Sequence, residues 1–136
     1  MTTLKVACLA AKLYSRSYIL PMEKRIAEYN SLVCMDFHDP ERLDWIKKTL
    51  ADLPYVYYAA VSSGRTGVFA IIPIVSGDWK EHKHYFDELE RITRALGLNP
   101  SKRGRNVMDL RFQTVDEEAY FNRKCERFSL LRAGSQ

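Results

Sequence analysis

Asn30-Ser31-Leu32-Val33-Cys34-Met35-Asp36-Phe37 is the stretch on which the reading of the fold turns. A short apolar run whose charge arrives only at its end predicts a buried strand. Asp39-Pro40 follows as a helix start, a capping carboxylate with proline at the first helical position. Leu43, Ile46, Leu50 and Leu53 then recur at helical spacing until Pro54 closes the segment. Tyr55–Ser62 is aromatic and β-branched and predicts a strand. Gly64 and Gly67 bracket a turn, and Val68–Val75 completes a hairpin. Gly77-Asp78 opens a second helix with Phe86, Leu89, Ile92 and Leu96 on one face and Gly97 as its left-handed stop.

Strand, helix, strand, strand, helix is the beginning of a split β-α-β pattern. The expected class is α+β, a ferredoxin- or RRM-like antiparallel sheet with two helices on one face. The other face needs a cover of extra chain, partner or ligand, so function is expected there. Further on, 100–105 reads as a basic loop, Val107–Val115 as the last strand, Asp116–Asn122 as a turn and Lys124–Leu131 as an edge strand or a tail that packs back. Upstream, Ser15–Glu28 is polar, basic and broken by Pro21, a loop with at most one helical turn. Leu4–Tyr14 is ambiguous between strand and short helix. The whole of 1–136 is expected to be one domain with its core in 29–123.

The totals agree with an ordinary globular chain. Of 136 residues, 46% are hydrophobic and 28% charged, enough for a core without a metal or disulfide staple. A formal charge of +4 and a pI near 9.0 permit a polyanionic partner without requiring one. Cys8, Cys34 and Cys125 lack the close spacing of a zinc or redox motif. Two lie in apolar runs, and the expectation is reduced, buried thiols. The apolar run at 6–11 is too short for a signal peptide or a membrane span, which points to the cytoplasm and to no membrane partner.

Four places could carry chemistry. Asp36 and His38 lie two apart at the end of a buried strand, so both project onto one sheet face, where a divalent metal could sit; equally, Asp36 ends the strand, Asp39 caps the helix and His38 is a surface side chain. Ser62-Ser63-Gly64-Arg65-Thr66-Gly67 offers hydroxyls, backbone N–H groups and a guanidinium to a phosphate, or is a plain hairpin turn. Lys102, Arg103 and Arg105, with Arg111 on the strand beyond, suit a phosphate backbone or a solubilising loop. His82, Lys83 and His84 read as a solvated helix start.

The segments Tyr29–Phe37, Ala60–Val68, Asn106–Phe112 and Asp116–Asn122 together resemble the VirE amino-terminal domain family of the archaeo-eukaryotic primase, or prim-pol, superfamily. The likeness covers roughly 28–123. It implies a sheet presenting three acidic metal ligands and a basic side chain to a nucleotide, in a DNA replication or mobile-element context. Carried onto this chain, Asp36 keeps the first acid, His38 replaces the second, and Asn106 replaces the third. Phe69 stands where the hairpin's lysine or histidine would be. Asp109 is a further acid, but on a regular strand it faces away from Asn106.

These departures lead to the expectation of a prim-pol-like domain that has lost or nearly lost nucleotidyl transfer and still binds nucleic acid or nucleotide through Ser62, Ser63, Gly64, Arg65, Lys102, Arg103, Arg105 and Arg111. One alternative is an active nucleotidyltransferase working with Mg²⁺ or, given the histidine, Mn²⁺, through Asp36, His38 and either Asn106 or Asp109. Another is a protein-interaction module or inhibitor that keeps the fold as a scaffold.

Overall fold

In a computed structural model the described residues are 4–7, 11–13, 26–107, 111–114 and 116–130, with side chains described over 29–107 and 116–130. In chain order the strands are β1 (Leu4–Ala7), β2 (Ala11–Leu13), β3 (Ile26–Tyr29), β4 (Leu32–His38), β5 (Tyr58–Val61), β6 (Gly67–Pro73), β7 (Arg111–Thr114) and β8 (Tyr120–Phe121). The helices are α1 (Leu43–Ala51), between β4 and β5, and α2 (His82–Ala95), between β6 and β7; a 3₁₀ turn at Trp79–Glu81 leads into α2.

Alternation along β4 divides its side chains between two apolar layers. Val33, Met35 and Phe37 meet Ile46 and Leu50 of α1 and Phe86 and Leu89 of α2 in the larger core. Cys34 lies on the other side with Tyr58, Ala60, Phe69 and Ile71. Each fully buried Phe or Leu of this kind contributes about 2–3 kcal/mol. The fold is therefore the expected α+β arrangement, a four-stranded antiparallel sheet with two helices on one face. The strand order is β4-β6-β5-β8, with β6 inserted between β4 and β5 as a split β-α-β unit requires.

The second face is covered, and of the three covers expected it is the chain that supplies it. Phe69 and Ala60 have no solvent exposure and Cys34 only 2%, so the chain itself covers that face. Cys34 is moreover disulfide-bonded, which corrects the reading of reduced thiols; its partner lies outside the described residues, and Cys125 is free. An apolar setting makes a thiol buried whether or not it is oxidised, so the sequence pattern could not separate the two states.

The fourth strand also differs. Within 107–115, Arg111–Thr114 forms β7, which pairs with β1 in a separate two-stranded sheet. The free edge of β4 is occupied instead by 99–101. There the His38 N–H donates to the Asn99 carbonyl at 3.2 Å, the Ser101 N–H to the Asp36 carbonyl at 2.8 Å, and Phe37 bridges Pro100. β8, expected as part of a turn, fills the other edge through Tyr58↔Phe121 and Ala59↔Tyr120. Upstream, the expected loop ends in a strand, since β3 pairs with β2.

Helix starts depend on local hydrogen bonds. The Asp39 carboxylate accepts from Arg42 Nε at 2.7 Å and from the Glu41 N–H at 3.3 Å, closing a turn. α1 therefore begins three residues later than the Asp-Pro signal suggests. Asp78 does cap, accepting from the Lys80 N–H at 3.0 Å, and Gly97 stops α2 with φ +90 as expected. The tail packs back, with the Phe128 N–H donating to the Pro73 carbonyl at 2.8 Å.

Candidate functional site

Three of the four chosen places converge at the end of β4. His38 pairs with Gly67 across the β4–β6 ladder, and the Asp39 N–H donates to the Thr66 carbonyl at 3.0 Å, so the 62–67 turn lies beside the strand end. The 99–101 segment runs along the other side of β4, carrying Arg103 close enough for its guanidinium to act on the Asp36 carboxylate. Gly67 is required here: a Cβ would lie 2.3 Å from the Phe37 carbonyl oxygen.

Asp36 lies in register with Phe69, and Phe69 with Ala60, so the carboxylate stands at the rim of the buried second face. Burial pushes its pKa up, and Arg103 and His38 only partly oppose this. Phe69 itself is fully buried and has no part in ligand contact. Ser62 continues β5 and accepts a chain reversal: its N–H donates to the Gly67 carbonyl at 3.0 Å, and its carbonyl accepts from the Arg65 N–H at 2.9 Å. The Ser62 hydroxyl oxygen is buried without a hydrogen-bond partner among the described residues. Ser63, Gly64 and Arg65 are exposed, and Arg65 holds a left-handed φ of 54.

The basic loop is less available than its sequence suggests. Lys102 Nζ lies 2.6 Å from Glu90, and Arg105 forms a two-pronged pair with Asp87 at 2.7 and 3.0 Å, so both cations are held by acids on α2. Arg105 in turn keeps the Asp87 carboxyl below its ordinary range. Asn106 lines the groove of about 540 Å³ between these groups, with Lys83, and that groove does not include Asp36 or His38. Asp109 lies outside the described residues, as does the side chain of Arg111. Among the described residues no three His, Cys, Asp or Glu side chains form a group that could hold a metal ion.

The fourth place was misread. His82 has no solvent exposure; its Nε2 lies 2.9 Å from the Gly104 carbonyl and its Nδ1 2.8 Å from the Tyr29 hydroxyl. Lys83 and His84 are exposed, as a solvated start requires. Helical spacing carries the missing signal, because His82, Tyr85, Phe86, Leu89 and Thr93 share one buried face.

No helix among the described residues is long and apolar enough to cross a membrane. No curated protein and no solved structure matches the chain. One family model does, described as BT4734-like, N-terminal domain, over residues 9–121; no VirE or primase family matches. That finding overturns the VirE assignment. The residues that suggested it have local work: Asp36 at a strand rim, Gly67 in a close backbone approach, and Asp116 accepting from Lys47 at 2.6 Å and from two backbone N–H groups. The chain belongs to the BT4734-like, N-terminal domain family.

Proposed function

We propose that this domain binds the phosphate of a nucleic acid or nucleotide at the end of β4, between the 62–67 turn and the 99–106 loop, and does not carry out nucleotidyl transfer. The supporting observation is the convergence there of Arg65, Arg103, His38 and the exposed Ser63, drawn from three segments far apart in sequence. A phosphate rewards this combination, since guanidinium forks and hydroxyls satisfy its oxygens directionally. Lys102 and Arg105 have secondary parts, because their acidic partners on α2 would stay beside any phosphate they met. Nucleotidyl transfer is not expected, because a two-ion site needs several carboxylates, whereas this strand end presents Asp36 with His38 beside it.

The test is fluorescence anisotropy of a labelled oligonucleotide, with unlabelled mononucleotide as competitor. Arg65→Ala should weaken binding about tenfold, the scale of a charge-assisted hydrogen bond. Unchanged affinity would exclude the turn as the binding element.

A further inference from the structure

At the opposite edge of the sheet, Phe121 leaves 58% of its surface in solvent, more than any other large apolar side chain among the described residues. Single exposed apolar groups are common on proteins, so exposure alone assigns nothing. Phe121, however, is backed by two tyrosines. Its ring centroid lies 4.7 Å from that of Tyr58, its register partner, and 6.0 Å from that of Tyr57, both edge-to-face. Tyr58 is buried and Tyr57 half-buried, so the outer ring rests on a fixed support.

The chain then turns at once. The Asn122 N–H donates to the Tyr57 carbonyl at 2.9 Å, and the Asn122 side chain accepts from the Lys124 N–H at 3.0 Å. This places Arg123 and Lys124, both exposed, directly after the ring. Neither is in an ion pair among the described residues, whereas the half-buried Asp116 is occupied by Lys47.

We propose that Phe121, supported by Tyr57 and Tyr58 and flanked by Arg123 and Lys124, is a base-stacking subsite for single-stranded nucleic acid. A supported ring on an edge strand accepts the flat face of any base, and adjacent cations accept the phosphates on either side. A duplex does not fit this chemistry, because its bases are already stacked on one another. The subsite rests on the reading of the domain as a nucleic-acid binder, but uses none of the residues at the end of β4.

The experiment uses the whole chain carrying Phe121→Trp, titrated with oligo(dT) and with an abasic sugar-phosphate oligomer of equal length. Wild type serves as the blank for Trp45 and Trp79. Oligo(dT) should quench the introduced indole and the abasic oligomer should not; Phe121→Ala should weaken oligo(dT) binding about tenfold while far-UV circular dichroism shows the fold kept. Equal responses to the two oligomers, or no response to either, would overturn the subsite; the second result would direct the ring to a protein partner instead. If Arg65→Ala leaves affinity unchanged while Phe121→Ala weakens it, the β4 reading fails and this one stands. The reverse pattern has the opposite meaning.

Discussion

The imidazole of His82 and the carbonyl of Gly104 meet at 2.9 Å in a fully buried position, and this contact ties the 99–106 loop to the first turn of α2. A carbonyl can only accept, so Nε2 carries the hydrogen, and Nδ1 lies 2.8 Å from the Tyr29 hydroxyl. Burial holds the Tyr29 phenol above its ordinary range, assisted by Tyr85, Asp78 and Glu81, so it remains a donor. One side chain thereby joins β3, α2 and the loop that carries Arg103.

His82→Ala removes the hydrogen bonds it makes to the Tyr29 hydroxyl and the Gly104 carbonyl and opens a cavity. The expected loss is about 3 kcal/mol in urea denaturation, against about 1 kcal/mol for Tyr29→Phe, which removes one hydroxyl and little volume. Similar midpoints for the two variants would show that the imidazole has no bridging role.

Gly104 has no room for a side chain. A Cβ would sit 2.0 Å from the Cys34 carbonyl oxygen, and φ is +97. Gly104→Ala should therefore cost more than about 3 kcal/mol or prevent folding, while Gly97→Ala, with φ +90 and its nearest contact the edge of the Trp45 ring at 3.3 Å, should cost about 1–2 kcal/mol. Thermal unfolding of the pair checks the ranking, and equal losses would refute it.

Two carboxylates should respond to pH with opposite sign. Asp36 is raised by burial, so the native state holds its proton longer than the unfolded chain does; its contribution becomes unfavourable as pH rises above the ordinary Asp value. Burial also pushes Asp116 upward, but the Lys47 ammonium and the N–H groups of Val61 and Glu118 together bring it below its ordinary value. Its stabilisation is present above the unfolded pKa and is lost as pH falls through the folded one. Relative to wild type, Asp36→Asn should gain stability between about pH 3 and pH 7, and Asp116→Asn should lose it over the same interval. Parallel curves for the two variants would contradict both assignments.

The sheet-and-helix frame was legible because its signals are local. The short apolar run at 30–37 and the helical spacing of Ile46 with Leu50 and of Phe86 with Leu89 mark a buried strand and two apolar helix faces without knowledge of their partners. Edges were not legible. A strand at 111–114 looks the same whether it joins β4 or β1, and the β4 edge was claimed by Asn99 and Ser101 through backbone atoms, which carry no sequence signature. The strand-end site was likewise half visible. Asp36, His38 and the hairpin stood out by type, but the capture of Lys102 and Arg105 by Glu90 and Asp87 depends on how α2 lies against the loop.

The proposed role of the β4 end is to meet phosphate. Its most direct test is the salt dependence of oligonucleotide binding by wild type and by the double variant Arg65→Ala, Arg103→Ala, read by anisotropy from low to physiological salt. Losing two phosphate contacts should lower the slope of log K against log salt by about 1.4 for a single strand and weaken binding at every salt concentration. A double variant with the wild-type slope and affinity would contradict the claim, as would wild-type binding that does not change with salt.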